Sequence, residues 1–163
     1  MLMVESDVWK SGLLKTLEHA YRKAPCFGSV FPLVQEILSC QKRAISDFIA
    51  NSLFVLCHHL GMSTEIVPSS AGYQNRHLKG QDRIIDICAR EDASAYHNAV
   101  GGAELYERAA FAEKGVALCF VKPRLTEYPQ FGNVFIPGLS ILDVLMHNSQ
   151  EQIRVMLDAY ELT

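Results

Sequence analysis

The chain lacks the sequence signatures of the common cofactor and hydrolase sites. No Gly-x-Gly-x-x-Gly fingerprint and no P-loop is present, so a dinucleotide or nucleoside-triphosphate site of those kinds has no support. No Gly-x-Ser-x-Gly elbow marks a hydrolase serine. The histidines form no His-Glu-x-x-His pattern, and the adjacent His58 and His59 point to different helix faces. We therefore expect neither a metal ion nor a bound cofactor.

Cysteine pairs, excess positive charge and long apolar runs are equally scarce. The 5 cysteines make an odd total without a Cys-x-x-Cys pair, and each lies in an apolar run, a pattern typical of buried, reduced thiols. A net charge of −3 with no basic block argues against a nucleic-acid partner. No secretory signal segment and no apolar run of membrane-spanning length occur. We expect a cytoplasmic protein that does not insert into membranes.

Length and patterning predict a single α/β domain over residues 1–163. A chain of 163 residues fits one domain with a substantial core, and 49% of it is hydrophobic. Residues 9–60 follow helical periodicity, including a third helix whose inward-facing residues are predicted to be Ile49, Leu53, Phe54, Leu56 and Cys57. After them strands and helices alternate, which is typical of a parallel sheet. The predicted fold is a small, mainly parallel sheet flanked by helices, with a helical N-terminal third.

The predicted sheet is thin. A parallel sheet needs both faces covered and its edges protected. A further strand within residues 1–8, another chain or an additional N-terminal segment would complete it, and exposed edges are compatible with a homodimer. The three strands that the sequence predicts are Thr64–Pro68, a short one at Ala95–Tyr96 and Val116–Phe120.

The densest group of polar residues is the stretch Tyr96–Tyr106. It contains His97, Asn98 and the adjacent pair Gly101 and Gly102. Paired glycines allow backbone angles that other residues resist. They also let a ligand approach main-chain N–H groups at a helix start, where negative charge is favoured. A tight strand-to-helix turn explains the same pair, and the residues alone leave both interpretations open.

Other candidate positions also have two interpretations each. Ser69 and Ser70 follow a predicted strand and either bind phosphate or cap a turn. Arg83 is either an anion ligand or a solvated surface residue. Asp143, in the first turn of a later helix, either complements the helix dipole or acts as a catalytic carboxylate. The loop residues that either line a pocket or pack over an edge are Tyr128 and Gln130.

Several segments occur in a distinctive order along the chain. They are Tyr21–Pro25, Ile45–Ala50, Ser69–Ser70, Gly80–Cys88, Tyr96–Tyr106, Glu127–Phe131 and Pro137–Met146. Each segment alone is a weak signal. Taken together, the series resembles the WbqC-like family over nearly all of residues 8–163.

The resemblance implies a role in bacterial surface-polysaccharide biosynthesis, since such proteins are encoded in polysaccharide and O-antigen clusters. The activity it suggests is acyl or aminoacyl transfer to an amino sugar carried on a nucleotide, with His97 or Asp143 as the base. The alternative is a non-catalytic module that binds the sugar nucleotide or assembles with a partner enzyme. The positions that match the family's motifs and are expected to bind ligand are Ser69, Ser70, Arg83, Tyr96, Asn98, Gly101, Gly102, Tyr106, Tyr128 and Gln130.

The chain departs from the family pattern at its front. Members of the family begin with a segment containing an Ile-His-Gln-Pro-Asn-Tyr-like strand and loop, and nothing in residues 1–11 matches it. This departure coincides with the shortage of strands. We therefore expect a domain that is truncated at its N-terminus relative to the family.

Overall fold

The computed structural model describes residues 7–132 and 134–163. Its compact packing separates two units, the first made of residues 1–68 and 125–158 and the second of residues 69–124 and 159–163. The prediction of a single domain is not tested by this division and stays a prediction. In chain order the elements are α1 (Val8–Tyr21), α2 (Phe27–Ser39), α3 (Ile45–His59), a 3-10 helix (Ser70–Tyr73), α4 (Gly80–Arg90), β1 (Ala95–Ala99), a second 3-10 helix (Val100–Leu105), α5 (Arg108–Ala112), β2 (Ala117–Pro123), α6 (Ile141–His147), α7 (Gln150–Leu157) and β3 (Tyr160–Leu162).

The first unit is helical and is organised around α2. This helix contacts α1, α3 and α6, and α6 in turn contacts α7. Its apolar residues recur at helical spacing, so one face of α2 joins the core. The buried side chains that form this core are Ala24, Val30, Leu33, Val34, Leu38, Leu60, Leu145, Met146 and Ile153.

The orientation of α3 differs from the one predicted from the sequence. Ile49, Leu53 and Phe54 are 51%, 48% and 44% exposed, so the inward orientation expected for them is wrong. No residue of α3 is fully buried. Helical periodicity identifies an apolar face, but it does not tell which neighbouring element covers that face.

The second unit contains a three-stranded sheet in the order β1-β2-β3. β1 and β2 are parallel, with Ala95 opposite Ala117, whereas β3 pairs antiparallel with β2 and places Leu162 opposite Val121. Phe111 of α5 and Leu118 and other side chains of β2 build a separate core beside α4. The parallel pair requires a crossover connection, which the second 3-10 helix and α5 supply.

The predicted class is confirmed: helices form the N-terminal third, and the small sheet has a parallel pair. The strand expected at Thr64–Pro68 is wrong, because residues 64–67 lie outside any helix or strand ladder. β3 was not predicted from the sequence. The strand considered within residues 1–8 falls on residues 1–6, which lie outside the described part, and on Asp7 and Val8, where α1 begins.

Within residues 7–132 and 134–163, none of the helices combines the length and the apolar character needed to cross a membrane.

Candidate functional site

Asp143 is a buried carboxylate in the first turn of α6. The helix begins beside it because the Ser140 hydroxyl accepts a hydrogen bond from the Leu142 N–H at 3.3 Å. Only 5% of Asp143 is exposed, although aspartate is among the residue types that proteins rarely bury without partners. Its surroundings must therefore supply hydrogen-bond donors.

Three neutral side chains donate to this carboxylate. The Tyr21 hydroxyl at the end of α1 lies 3.0 Å from Oδ1 of Asp143. The Tyr128 hydroxyl and the Gln130 amide nitrogen lie 2.8 Å and 3.2 Å from Oδ2. Gln130 is itself fixed by the Ile136 backbone, which donates to its oxygen at 2.8 Å and accepts from its nitrogen at 3.1 Å. Both carboxylate oxygens are thus satisfied without a lysine or arginine.

The same burial keeps the two phenols protonated. Desolvation, followed by the hydrogen bond to Asp143, raises the pKa of Tyr21 to about 12. Desolvation also raises the pKa of Tyr128; the Gln130 contact opposes this rise, and the hydrogen bond to Asp143 adds to it. Near neutral pH both hydroxyls therefore act as donors, as a buried carboxylate requires.

His147 lies one helical turn after Asp143 on α6. Its Nδ1 is 3.0 Å from the backbone carbonyl oxygen of Asp143 and 3.6 Å from its Oδ1. The side chain is only 3% exposed, and its Nε2 has no hydrogen-bond partner among the described residues. Because a carbonyl oxygen only accepts, we assign the proton of the neutral ring to Nδ1. Nε2 is left with a free lone pair.

Aromatic rings enclose His147. The Phe131 ring centroid is 4.8 Å away with an interplanar angle of 76°, and the centroids of Tyr21 and Tyr128 are 6.0 Å and 6.3 Å away. These rings limit water around the imidazole, which strengthens any electrostatic interaction that it makes.

The arrangement can perform acid–base chemistry. An imidazole with one nitrogen hydrogen-bonded to a carbonyl and the other nitrogen unpartnered can accept a proton, and a carboxylate 3.6 Å away stabilises the resulting cation. Among residues 7–132 and 134–163 no group of three or more side chains is arranged to hold a metal ion. We name Tyr21, Tyr128, Gln130, Asp143 and His147 the Asp143 cluster.

A cavity of about 350 Å³ adjoins this cluster. Tyr128 and Gln130 line it, together with Glu127, Gly132 and Phe135. A molecule in the cavity would therefore meet two of the side chains that donate to Asp143.

The cluster combines three sequence candidates with two residues that the sequence analysis missed. Tyr128, Gln130 and Asp143 were proposed separately, and the structure brings them together. His147 carried a usable signal, because residues i and i+4 share one helix face. Tyr21 begins the family-like segment Tyr21–Pro25, but 122 residues separate it from Asp143, so the sequence did not reveal this contact.

A second group forms in the second unit around Arg83. Its Nε donates to the Asn75 side-chain oxygen at 3.0 Å, and its NH2 nitrogen donates to the Ser70 hydroxyl at 2.9 Å. Asn75 is fully buried and donates to Asp86 at 2.8 Å. This hydrogen bond, followed by that from Arg90, lowers the pKa of Asp86. We name Ser70, Asn75, Arg83 and Asp86 the Arg83 cluster; the sequence analysis missed Asn75.

Arg83 forms no ion pair within the part of the chain that the structure describes. Ser69 does not contact it in this group; its hydroxyl instead accepts from the Ala71 N–H at 3.2 Å and caps the 3-10 helix. The turn-capping interpretation thus describes Ser69, while anion binding by Ser70 and Arg83 stays a prediction.

Tyr96 and Tyr106 pack into the core of the second unit. Their ring centroids are 5.8 Å apart, and Tyr96 stacks on Phe111 at 5.6 Å. Desolvation, followed by the hydrogen bond with Tyr106, raises the pKa of Tyr96 to about 12. Packing accounts for both residues, and their predicted contact with a ligand stays a prediction.

The structure gives a different reason for the glycine pair than the sequence analysis did. Neither Gly101 nor Gly102 has a positive φ, so the expectation of special backbone angles is wrong. A Cβ on Gly102 would lie 3.0 Å from the side-chain nitrogen of Asn98, whereas one on Gly101 would meet nothing within 4 Å. Close approach of Asn98 therefore explains Gly102. The pair lies in a six-residue 3-10 helix, and His97 is exposed on β1.

The fold and the Asp143 cluster define a small α/β protein with a buried carboxylate–imidazole pair. A family model, that of the WbqC-like protein family, matches residues 1–155. The chain belongs to this family, as its ordered motifs predicted. No curated protein and no solved structure matches the chain significantly.

Proposed function

We propose that this protein modifies an amino sugar carried on a nucleotide, with His147 as the general base and Asp143 as the residue that positions it. Family membership supports a polysaccharide-associated role. The finer assignment rests chiefly on one observation: the buried His147 has an unpartnered Nε2, while its Nδ1 lies 3.6 Å from the Asp143 carboxylate. The exposed His97, the earlier candidate base, has no comparable setting.

The reaction is transfer of an acyl or aminoacyl group from an activated ester or thioester. The sugar nitrogen attacks the acyl carbon, a C–N bond forms, and the bond from that carbon to the leaving oxygen or sulfur breaks. The proton released by the amine moves to Nε2 of His147 and then to the leaving group. The carboxylate 3.6 Å from Nδ1 stabilises the imidazolium between these two steps.

The residues around the base have distinct roles in this proposal. Tyr21 donates to the carboxylate oxygen that lies nearest to His147 and so fixes its position. Tyr128 and Gln130 join the carboxylate to the wall of the 350 Å³ cavity, where the sugar would lie. The rings of Tyr21, Tyr128 and Phe131 exclude water, which would otherwise compete for the acyl group.

The experiment is an incubation of the purified chain with nucleotide-linked amino sugars and acyl or aminoacyl donors, read by mass spectrometry of the sugar. The wild type is expected to form the modified sugar. His147→Gln is expected to lower the rate about 10²- to 10⁴-fold, the usual contribution of a general base. The matched control is His58→Gln, an exposed histidine of the same unit, which should retain the rate. Equal rates in both variants would refute the assignment of the base.

A non-catalytic sugar-nucleotide-binding module is the second candidate. The Arg83 cluster favours it, because a guanidinium oriented by Asn75 and Ser70 can bind an anion without any proton transfer. Calorimetric titration with the same nucleotide sugars distinguishes the candidates. The binding module is favoured if the wild type binds the sugar nucleotide, Arg83→Gln does not, and no donor yields a modified sugar. If the wild type shows neither binding nor product, both functions are contradicted.

A further inference from the structure

A second cavity of the first unit, about 270 Å³ in volume, is lined by basic side chains. His19, Arg22, Lys23 and Ala20 of the α1 end form its wall together with Phe131, and no acidic residue lines it. The protein as a whole has a net charge of −3. This concentration of positive charge is therefore a local departure from the average surface.

The basic side chains of this cavity are not neutralised by carboxylates. Within the described residues, His19, Arg22 and Lys23 form no ion pair. Glu18, one helical turn before Arg22 on the same helix, makes none with it either. An arginine and a lysine that line one cavity without a counter-charge provide the two donor types that proteins use for phosphate.

Two residues connect this cavity to the Asp143 cluster. Phe131 lines the cavity, and its ring lies 4.8 Å from the ring of His147. Tyr21 lies between the lining residues Ala20 and Arg22 in the sequence, and its hydroxyl donates to Asp143. Phe131 thus contacts both the basic cavity and the imidazole.

We propose that the His19–Arg22–Lys23 cavity binds the phosphate groups of a ligand whose remaining part reaches His147 past the Phe131 ring. The identity of that ligand as a nucleotide-linked sugar rests on the proposed function. The anion site itself does not, since it follows from the cavity and its charges. It also differs from the positions that the sequence analysis offers for an anion, namely Ser69, Ser70, Gly101 and Gly102.

Helix stabilisation is the competing explanation. Basic side chains near a helix C-terminus interact favourably with the helix dipole, and α1 ends at Tyr21. If that is their role, substitution of Arg22 and Lys23 lowers the melting temperature and leaves anion binding unchanged. If they form an anion site, the same substitution weakens anion binding and leaves the melting temperature nearly unchanged.

The test is calorimetric titration of the full chain with inorganic pyrophosphate, which carries no sugar. Arg22→Gln/Lys23→Gln is expected to weaken binding about tenfold or more. The matched control is Lys15→Gln/Lys42→Gln, which removes the same charge at two exposed positions outside the cavity. Circular dichroism reports whether the double variant folds. If it does not, the single variants Arg22→Gln and Lys23→Gln take its place in the titration.

Three results would overturn the proposal: no pyrophosphate binding by the wild type, equal binding by the two double variants, or loss of binding in Arg83→Gln but not in Arg22→Gln/Lys23→Gln. A second readout is the imidazole NMR signal that disappears in His147→Gln. Pyrophosphate should shift that signal in the wild type, and a signal that stays in place during saturation would refute the connection to His147. None of these outcomes depends on sugar modification, so failure here is distinguishable from failure of the proposed function.

Discussion

The Asp143 cluster and the Arg83 cluster each hold one charge with neutral partners, but they leave different chemistry available. Around Asp143, two phenols and an amide satisfy the carboxylate, and the nitrogen left over is a buried base. Around Arg83, an amide and a hydroxyl orient the cation, and the nearby Asp86 is paired with Arg90. The first arrangement suits proton transfer, whereas the second suits attraction of an anion. The comparison shows that burial and the sign of the held charge, more than the number of polar groups, decide what a cluster can do.

The largest expected difference between the clusters concerns their carboxylates. Asp143→Leu removes a buried acceptor and deprives the half-buried Tyr21 and Tyr128 hydroxyls of their partner, whereas Gln130 keeps the Ile136 carbonyl. At about 1–3 kcal/mol for each donor left unsatisfied, we expect a loss on the order of 3 kcal/mol in the free energy of unfolding. Asp86→Leu should cost less, because Asp86 is 29% exposed and its exposed partner Arg90 can turn to water. The buried Asn75, its other donor, keeps the Arg83 carbonyl at 3.4 Å. Urea unfolding of both variants measures the difference. Equal losses would show that the two carboxylates contribute equally to the free energy of unfolding, contrary to this prediction.

A smaller effect separates the tyrosines of the two units at high pH. Tyr21 and Tyr96 both have a folded-state pKa of about 12, against an ordinary value of 10.0. Because the folded protein keeps protons that the unfolded chain has lost, their contribution to stability is present below pH 10 and is lost as the pH rises to 12. The common first cause is desolvation, but only Tyr21 also faces a carboxylate.

Asp143→Asn should therefore lower the pKa of Tyr21 and leave that of Tyr96 unchanged. Ultraviolet absorbance of tyrosinate follows the titration, and the variants Tyr21→Phe and Tyr96→Phe assign its components. If Asp143→Asn shifts only the titration of Tyr96, which is the component missing in Tyr96→Phe, the separate origins of the two pKa values are contradicted.

The smallest effect concerns the glycine pair of the second unit. Gly101→Ala should raise the free energy of unfolding by about 0.5 kcal/mol, because a Cβ there meets nothing and the unfolded chain loses entropy. Gly102→Ala should be less favourable, since Asn98 must move by a few tenths of an ångström. Guanidinium unfolding of the two single variants provides the comparison. A greater stabilisation by Gly102→Ala than by Gly101→Ala would refute the close-approach explanation.

Sequence reasoning located helices and strands where the local signal was strong. The strand expected at Ala95–Tyr96 begins β1, the apolar run Val116–Phe120 falls mostly within β2, and Asp143 lies in the first turn of α6 as expected. It failed at Thr64–Pro68, where residues 64–67 lie in no helix or strand ladder, and at β3, three exposed residues that carry no alternation to detect. Strand formation depends on pairing with a distant segment, which local pattern does not encode.

The sequence by itself determined the class of fold, the family and several candidate side chains, because periodicity, capping residues and motif order are local properties of the chain. Only the tertiary structure decided which candidates act together. It joined Asp143 with Tyr21, a residue 122 positions away, and it separated a buried His147 from an exposed His97. The physical reason is that burial and hydrogen-bond partnership arise from contacts between segments that are far apart in the chain, and those contacts determine whether an ionisable group is only solvated or is placed to react.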